Sequence, residues 1–269
     1  MTRNSPYPLF DITGARALVT GGTSGIGLMI AEGFAAAGAR VIVSSRKQAG
    51  VDAAVARLSE SGSATGIVGD VSDPGSARAL AAQVLAEDER LDIVVNNAGV
   101  TWGAPLEEFP DAGWDKVMHT NLEGVFHLTV ALLPGLRSAA RESGRATIIN
   151  IGSTDGINVP EMDSFSYGAS KAGLHHLTRH LAKKLATESI TVNAIAPGPF
   201  ESRMMRFVTE NPEALDRVVD GIPLGRLGEP DDIAALSIFL ASAAGKYMTG
   251  SVIPLDGGIV GCGSSAKLS

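Results

Sequence analysis

Thr20-Gly21-Gly22-Thr23-Ser24-Gly25-Ile26-Gly27 follows the apolar run Ala17–Thr20 and opens an alanine-rich stretch over 25–37. The pattern is strand, tight turn, helix. Small residues in such a turn allow a sharp bend and let an anionic group approach the backbone N–H donors of a helix N-terminus. The spacing is Gly-x-x-x-Gly-x-Gly, not Gly-x-Gly-x-x-Gly, and a turn of this kind also suits a purely structural role or another nucleotide-like ligand. The neighbouring pattern therefore carries the argument. Apolar runs at Ala17–Thr20, Val41–Ser44, Ile67–Gly69, Ile93–Asn96, Thr147–Ile151, Val192–Ile195 and Val252–Leu255 alternate with helical stretches at about 25–37, 51–60, 74–87, 111–139, 167–187, 203–220 and 231–243. Seven short, uniformly apolar strands separated by helices predict an α/β fold, a doubly wound Rossmann-type parallel sheet covered on both faces. Gly38 is placed to cap the first helix.

The 269 residues are expected to form a single dinucleotide-binding and catalytic domain over 1–269, with a substrate-binding segment at about 199–222. The apolar fraction of 45% is ordinary for a globular protein, and no run approaches the roughly 18 apolar residues of a membrane span. The net charge of −7 opposes non-specific attraction to nucleic acid or anionic membranes, so neither is expected as a partner. Met1–Pro8 lacks the apolar core of a signal peptide, and Cys262 has no cysteine partner. A reducing, cytoplasmic location is the expectation.

Cofactor contacts are predicted where strands end. Gly21, Thr23, Ser24, Gly25, Ile26 and Gly27 would cradle a pyrophosphate. Asp70-Val71, after the third strand, can set a carboxylate against an adenine amino group, although Asp70 is equally placed to cap the helix beginning at Pro74. Asn96-Asn97-Ala98-Gly99 supplies small residues for close passage of a cofactor and amides that can bond backbone, ligand or both. Cofactor choice falls to the end of the second strand, where an acid would accept from a ribose diol and a base would pair with a 2′-phosphate. The sequence there is Ser44-Ser45-Arg46-Lys47. With the acid replaced by Ser45 and a guanidinium at Arg46, NADP is favoured over NAD.

Tyr167 and Lys171 lie four residues apart and share a helix face, so the ammonium can favour the phenolate and bring the phenol into service near neutrality. The buried stripe of that helix is expected at Ser170, Leu174, Leu177, Leu181 and Leu185. His119, His127, His175, His176 and His180 fall on helices with no ligand spacing, which predicts surface or interface roles and no metal site. Trp102, Met204, Met205 and Phe207 are candidate lining for an apolar cleft, with Trp114 expected in core or helix packing.

The set Thr20-Gly21…Gly25-Ile26-Gly27, Asn96-Asn97-Ala98-Gly99, Asn121, Ser153, Tyr167…Lys171 and Pro197-Gly198 resembles the short-chain dehydrogenase/reductase family over nearly the whole chain. Pro223–Pro230 and Asp256-Gly257-Gly258 are similar to the bacterial 3-oxoacyl-(acyl carrier protein) reductase branch. One departure is Ser24, where NADP-using relatives often carry a base. The resemblance implies four catalytic residues. Tyr167 would give a proton to the developing alkoxide, Ser153 would orient that oxygen, Lys171 would hold the nicotinamide ribose and lower the Tyr167 pKa, and the backbone of Asn121 would anchor a proton-supplying water. It also implies that Pro197-Gly198 passes the nicotinamide, that Ser202 meets the carboxamide, and that the chain pairs as a homo-oligomer, a tetramer or dimer, through the helices near 111–139 and 167–187. The implied reaction is NADPH-dependent reduction of a 3-oxoacyl thioester or related ketone. Oxidation of a sugar acid, polyol or secondary alcohol stays open, as does a nucleotide-binding protein without turnover.

Overall fold

Side chains alternate across a strand, and the central strands bury both sets. In the computed structural model, which describes residues 8–201, 205 and 210–262, strands β1 (Arg16–Thr20), β2 (Arg40–Ser45), β3 (Ser63–Val68), β4 (Ile93–Asn96), β5 (Ala146–Ile151), β6 (Ile190–Pro197) and β7 (Val252–Leu255) form one sheet in the order β3-β2-β1-β4-β5-β6-β7. Every pairing is parallel. On one face Val19, Val43 and Val95 pack under α1 (Gly25–Ala36), α2 (Gln48–Ser59) and α8 (Pro230–Ala241). On the other, Leu18, Ile42, Val94, Ile148 and Val192 pack under α3 (Pro74–Ala86), α5 (Gly124–Ser143) and α6 (Phe165–Leu185). Helices α4 (Asp111–Met118) and α7 (Pro212–Asp220) and the short α9 (Ile259–Cys262) complete the named helices among the described residues. The strand order reverses between β1 and β4, the position at which doubly wound sheets open a crevice.

Three expectations change. The third strand begins at Ser63 and ends at Val68, before Gly69, and it is not buried on both faces. It is the sheet edge, so only Ala64 and Ile67 turn inward while Val68 is exposed. The expected helix over 111–139 is three pieces, with a π-helical turn at His119–Glu123 between α4 and α5. On α6 the buried residues are Ser166, Ser170, Leu174, Thr178, Ala182 and Leu185, with Lys171 and His175 beside them; Leu177 and Leu181 are only partly covered. The stripe is polar near the N-terminal half because it faces the site, not the aliphatic core. Gly38 does close α1, at φ +85°, with its N–H donating to Ala35.

Candidate active site

The glycines of the first turn make room for an asparagine as well as a bend. Asn97 Nδ2 donates to the carbonyls of Thr20 (2.9 Å) and Gly21 (3.3 Å), and a Cβ on Gly27 would run into that amide. Gly21 and Gly25 adopt φ +64° and +53°, which side chains disfavour. Backbone N–H groups of Asn97 and Ala98 both donate to Thr20 Oγ1 at 3.0 Å. Thus the structural role of the Asn97 segment is realised directly. Asn96 turns inward, its Nδ2 donating to Asn150 Oδ1 (2.9 Å) and Thr129 Oγ1 (3.3 Å), while its Oδ1 has no partner.

Several features fit a dinucleotide. Ser24 is the N-cap of α1 yet makes no side-chain cap bond, leaving the first N–H groups for an anion. Gly22 packs on Val43 of β2, and Gly50, at the start of α2, lies beside Thr23, which brings the β2–α2 connection against the glycine turn. On that connection Ser45 is partly buried and Arg46 exposed. Asp70 Oδ1 accepts from the N–H groups of Val71 (2.7 Å) and Ser72 (3.0 Å). The cap of α3 is Asp73, which accepts from Gly75 and Ser76, so Asp70 is not that cap. Pro197 ends β6, and Gly198, whose N–H donates to Leu255, packs so closely on Asp256 that a Cβ would collide. Ser202, Met204 and Phe207 lie outside the described residues.

Asn121 occupies the π-turn and is fully buried. Its Oδ1 accepts from Val100 N, and its Nδ2 donates to Val100 O and Ser170 Oγ, at 2.9, 2.9 and 3.1 Å. The side chain therefore ties the strand-end segment at Gly99-Val100 to α6. Gly99 itself lies beside Lys171, with only 3.7 Å between a built Cβ and Nζ.

Ser153, Tyr167 and Lys171 do come together. Ser153 follows β5, accepts from the Asp155 N–H at 3.1 Å, and faces the Tyr167 phenol closely enough to lower its pKa. Lys171 Nζ is buried 5.5 Å from the Tyr167 ring centroid and donates to the Ile151 carbonyl at 2.7 Å. The electrostatics correct the sequence reading. Burial pushes the Tyr167 phenol up to about 12, partly offset by the bond from Ser153 and reinforced by Asp155. Burial also pulls Lys171 down to about 8, against the attraction of Asp155. Desolvation sets the direction of both shifts, and Lys171 is not among the groups that act on the phenol.

Two residues were missed. Asp155 is partly buried beside Lys171, its carboxyl raised by burial and restrained by the lysine charge. His175 was expected at a surface or interface but is buried inside the chain, 3% exposed, four residues beyond Lys171 on the same face. The face logic that selected Tyr167 and Lys171 reaches His175 at one more turn. The remaining aromatic expectations divide. Trp114 is 41% exposed, which removes it from the core, and it packs from α4 edge-on against Phe109. Trp102 lies under Lys116 Nζ, 5.4 Å from its ring, with Gly113 leaving room for the indole.

Residues 21–260 match a family model described as enoyl-(acyl carrier protein) reductase. A rhamnolipids biosynthesis 3-oxoacyl-[acyl-carrier-protein] reductase of Pseudomonas aeruginosa is 50% identical, over 94% of this chain and 98% of that protein. A galactitol 2-dehydrogenase (L-tagatose-forming) of Cereibacter sphaeroides is 42% identical, over 93% and 96%. The solved Pseudomonas aeruginosa RhlG/NADP active-site complex superposes with a TM-score of 0.91 at 49% identity, over 94% of this chain and 99% of that one. With matches of that extent over a doubly wound parallel sheet, the chain belongs to the short-chain dehydrogenase/reductase family of oxidoreductases.

Proposed function

We propose that the protein is an NADPH-dependent reductase of a 3-oxoacyl thioester or closely related β-keto compound. The observation that carries this reading is the convergence of Ser153, Tyr167 and Lys171 beside the glycine turn, in a chain half identical to a 3-oxoacyl reductase. When bound, the nicotinamide supplies hydride to a carbonyl carbon. The protein's own groups handle the oxygen. Tyr167, protonated throughout the neutral range, donates its hydroxyl proton to the alkoxide, and Ser153 holds both that hydroxyl and the carbonyl oxygen in line. Lys171, anchored on the Ile151 carbonyl, would bond the nicotinamide ribose and pass on a proton from a water held by the Asn121 backbone. With the cofactor bound, the open α1 N-terminus, with Gly21, Thr23, Ser24, Gly25, Ile26 and Gly27, would hold pyrophosphate; Ser45 and Arg46 would take the 2′-phosphate; Asp70 and Val71 would meet adenine; and Asn97, Ala98, Gly99, Pro197, Gly198 and Ser202 would serve the remainder.

A second reading, oxidation of a polyol, is favoured by one feature. The Asp155 carboxylate beside Tyr167 is an acceptor for a substrate hydroxyl, and the galactitol dehydrogenase is 42% identical. No described helix is long and apolar enough to cross a membrane, and we read the protein as cytoplasmic. The exposed Phe126 and Val130 on α5 suit assembly into a dimer or tetramer. Initial rates of NADPH oxidation with 3-oxoacyl thioesters, set against NADP reduction with galactitol and sugar acids, test the choice. Thioester turnover exceeding polyol turnover in kcat/KM supports the proposal; the reverse order replaces it with the second reading.

A further inference from the structure

The turn that carries Ser153 is gripped from behind by one buried imidazole. Gly152 and Gly156 flank Ser153, and a methyl on either would collide with His175, on Nε2 from Gly152 and on Cε1, at 2.8 Å, from Gly156. The imidazole lies against Gly156, whose backbone raises the pKa of the ring as an acceptor facing its N–H would, while Nε2 has no partner. Gly156 in turn donates to the Ser153 carbonyl, and Gly152 donates to Ile195 of β6 at 2.7 Å. The Ser153 segment is thus held between the sheet and α6, where the His175 ring meets both Gly152 and Gly156 and the backbone of Lys171 and Ala172 also backs Gly156. We propose that His175 is a positioning residue for the reaction, setting the Ser153 hydroxyl against Tyr167 through the Gly152–Gly156 turn.

The charged groups around the imidazole are Lys171 and Arg179 on its own helix, with Asp155 on the facing turn next to Lys171; Gly152 and Ile195 bring no charge from the sheet. Burial and both cations keep His175 neutral, lowering it to about 4. A neutral ring with one N–H directed at Gly156 suits a brace, because it needs no counter-charge where Lys171 is already buried.

This inference rests on Ser153 and Tyr167 handling the proton, so one arm of its test is independent of turnover. In protein labelled with 15N-histidine, the His175 ring should be neutral above pH 5.5 and protonated on Nδ1. A proton on Nε2, or a charged ring at neutral pH, would overturn the proposal. In the kinetic arm, His175→Phe keeps ring volume and removes the N–H, whereas His175→Gln keeps a donor. The phenylalanine variant should lose about 10- to 100-fold in kcat, the scale of a small misplacement at a reacting centre, with the Kd for NADPH changed less than threefold. The basic limb of its kcat profile should move to higher pH, since a weakened Ser153 bond no longer lowers the Tyr167 pKa, and His175→Gln should recover part of both effects. Wild-type kcat in His175→Phe, or a loss matched by the loss of folded protein with the basic limb unmoved, would contradict it. If His175→Phe does not fold, the glutamine variant and the labelled wild-type protein decide the matter by the same criteria.

Discussion

At the scale of single residues, charge placement decides what the site can do. Asp155 raises the pKa of both Tyr167 and Lys171. Reduction needs Tyr167 protonated, so its rate falls as pH rises through the Tyr167 pKa. Asp155→Asn removes the anion, eases phenolate formation, and should carry the basic limb down by roughly one unit, the low end of a nearby charge's effect. A pH series of kcat checks this, and an unmoved limb would mean that the Asp155 charge does not reach the phenol. Arg46 governs a different choice. Its exposed guanidinium beside the glycine turn should contribute about 1.5–3 kcal/mol to NADPH binding, as a hydrogen bond to a charged group does, and nothing to NADH. Titration of Arg46→Ala with both cofactors should show a selective loss for NADPH; equal losses would remove the basis for the cofactor assignment. Of these residues, Arg46 could be singled out from the sequence because a strand end and a missing acid mark its position. Asp155 and His175 were not, because their significance depends on burial, and neither composition nor spacing reports how much water a short turn after β5 retains.

At the scale of elements, local rules and tertiary packing diverge where the site is built. The strand-turn-helix at β1 and α1 could be read from the chain because glycines at fixed offsets mark a conformation that other residues resist. What could not be read was the neighbour. Gly27 is small because Asn97 occupies the space a methyl would take. Gly27→Ala should therefore destabilise the fold by about 1–3 kcal/mol, the usual cost of overpacking, whereas Gly50→Ala, whose methyl meets only Thr23 at 3.7 Å inside α2, should be neutral or stabilising by up to about 1 kcal/mol. Denaturant unfolding of both variants measures the contrast; equal effects would assign Gly27 to helix propensity alone. The π-turn at His119–Glu123 is a second case. A continuous helical pattern over 111–139 hides it, because its cause lies elsewhere in the chain, in the Val100 and Ser170 groups that engage Asn121. The displaced start of β3 arises because an edge strand is only partly covered and Ser63–Gly66 carries little apolar signal, Ala64 meeting the core on one face and Ile67 the core on the other.

At the scale of the whole molecule, strand order gives the chemistry its place. The glycine turn after β1, the Asn96–Gly99 segment after β4 and Ser153 after β5 come from adjacent strands at their carboxyl ends, across the reversal between β1 and β4. The α6 helix then brings Tyr167, Lys171 and His175 over that edge on consecutive turns. On the proposed mechanism this arrangement delivers the Tyr167 proton to a substrate oxygen. The most direct measurement is NADPH oxidation with a 3-oxoacyl thioester by wild-type protein and by Tyr167→Phe at saturating cofactor, together with the Kd for NADPH of each. The account predicts a fall in kcat of about 10² to 10⁴, the usual contribution of general acid catalysis, with cofactor affinity nearly unchanged because the ring and Lys171 remain. A fall of less than about tenfold would contradict it.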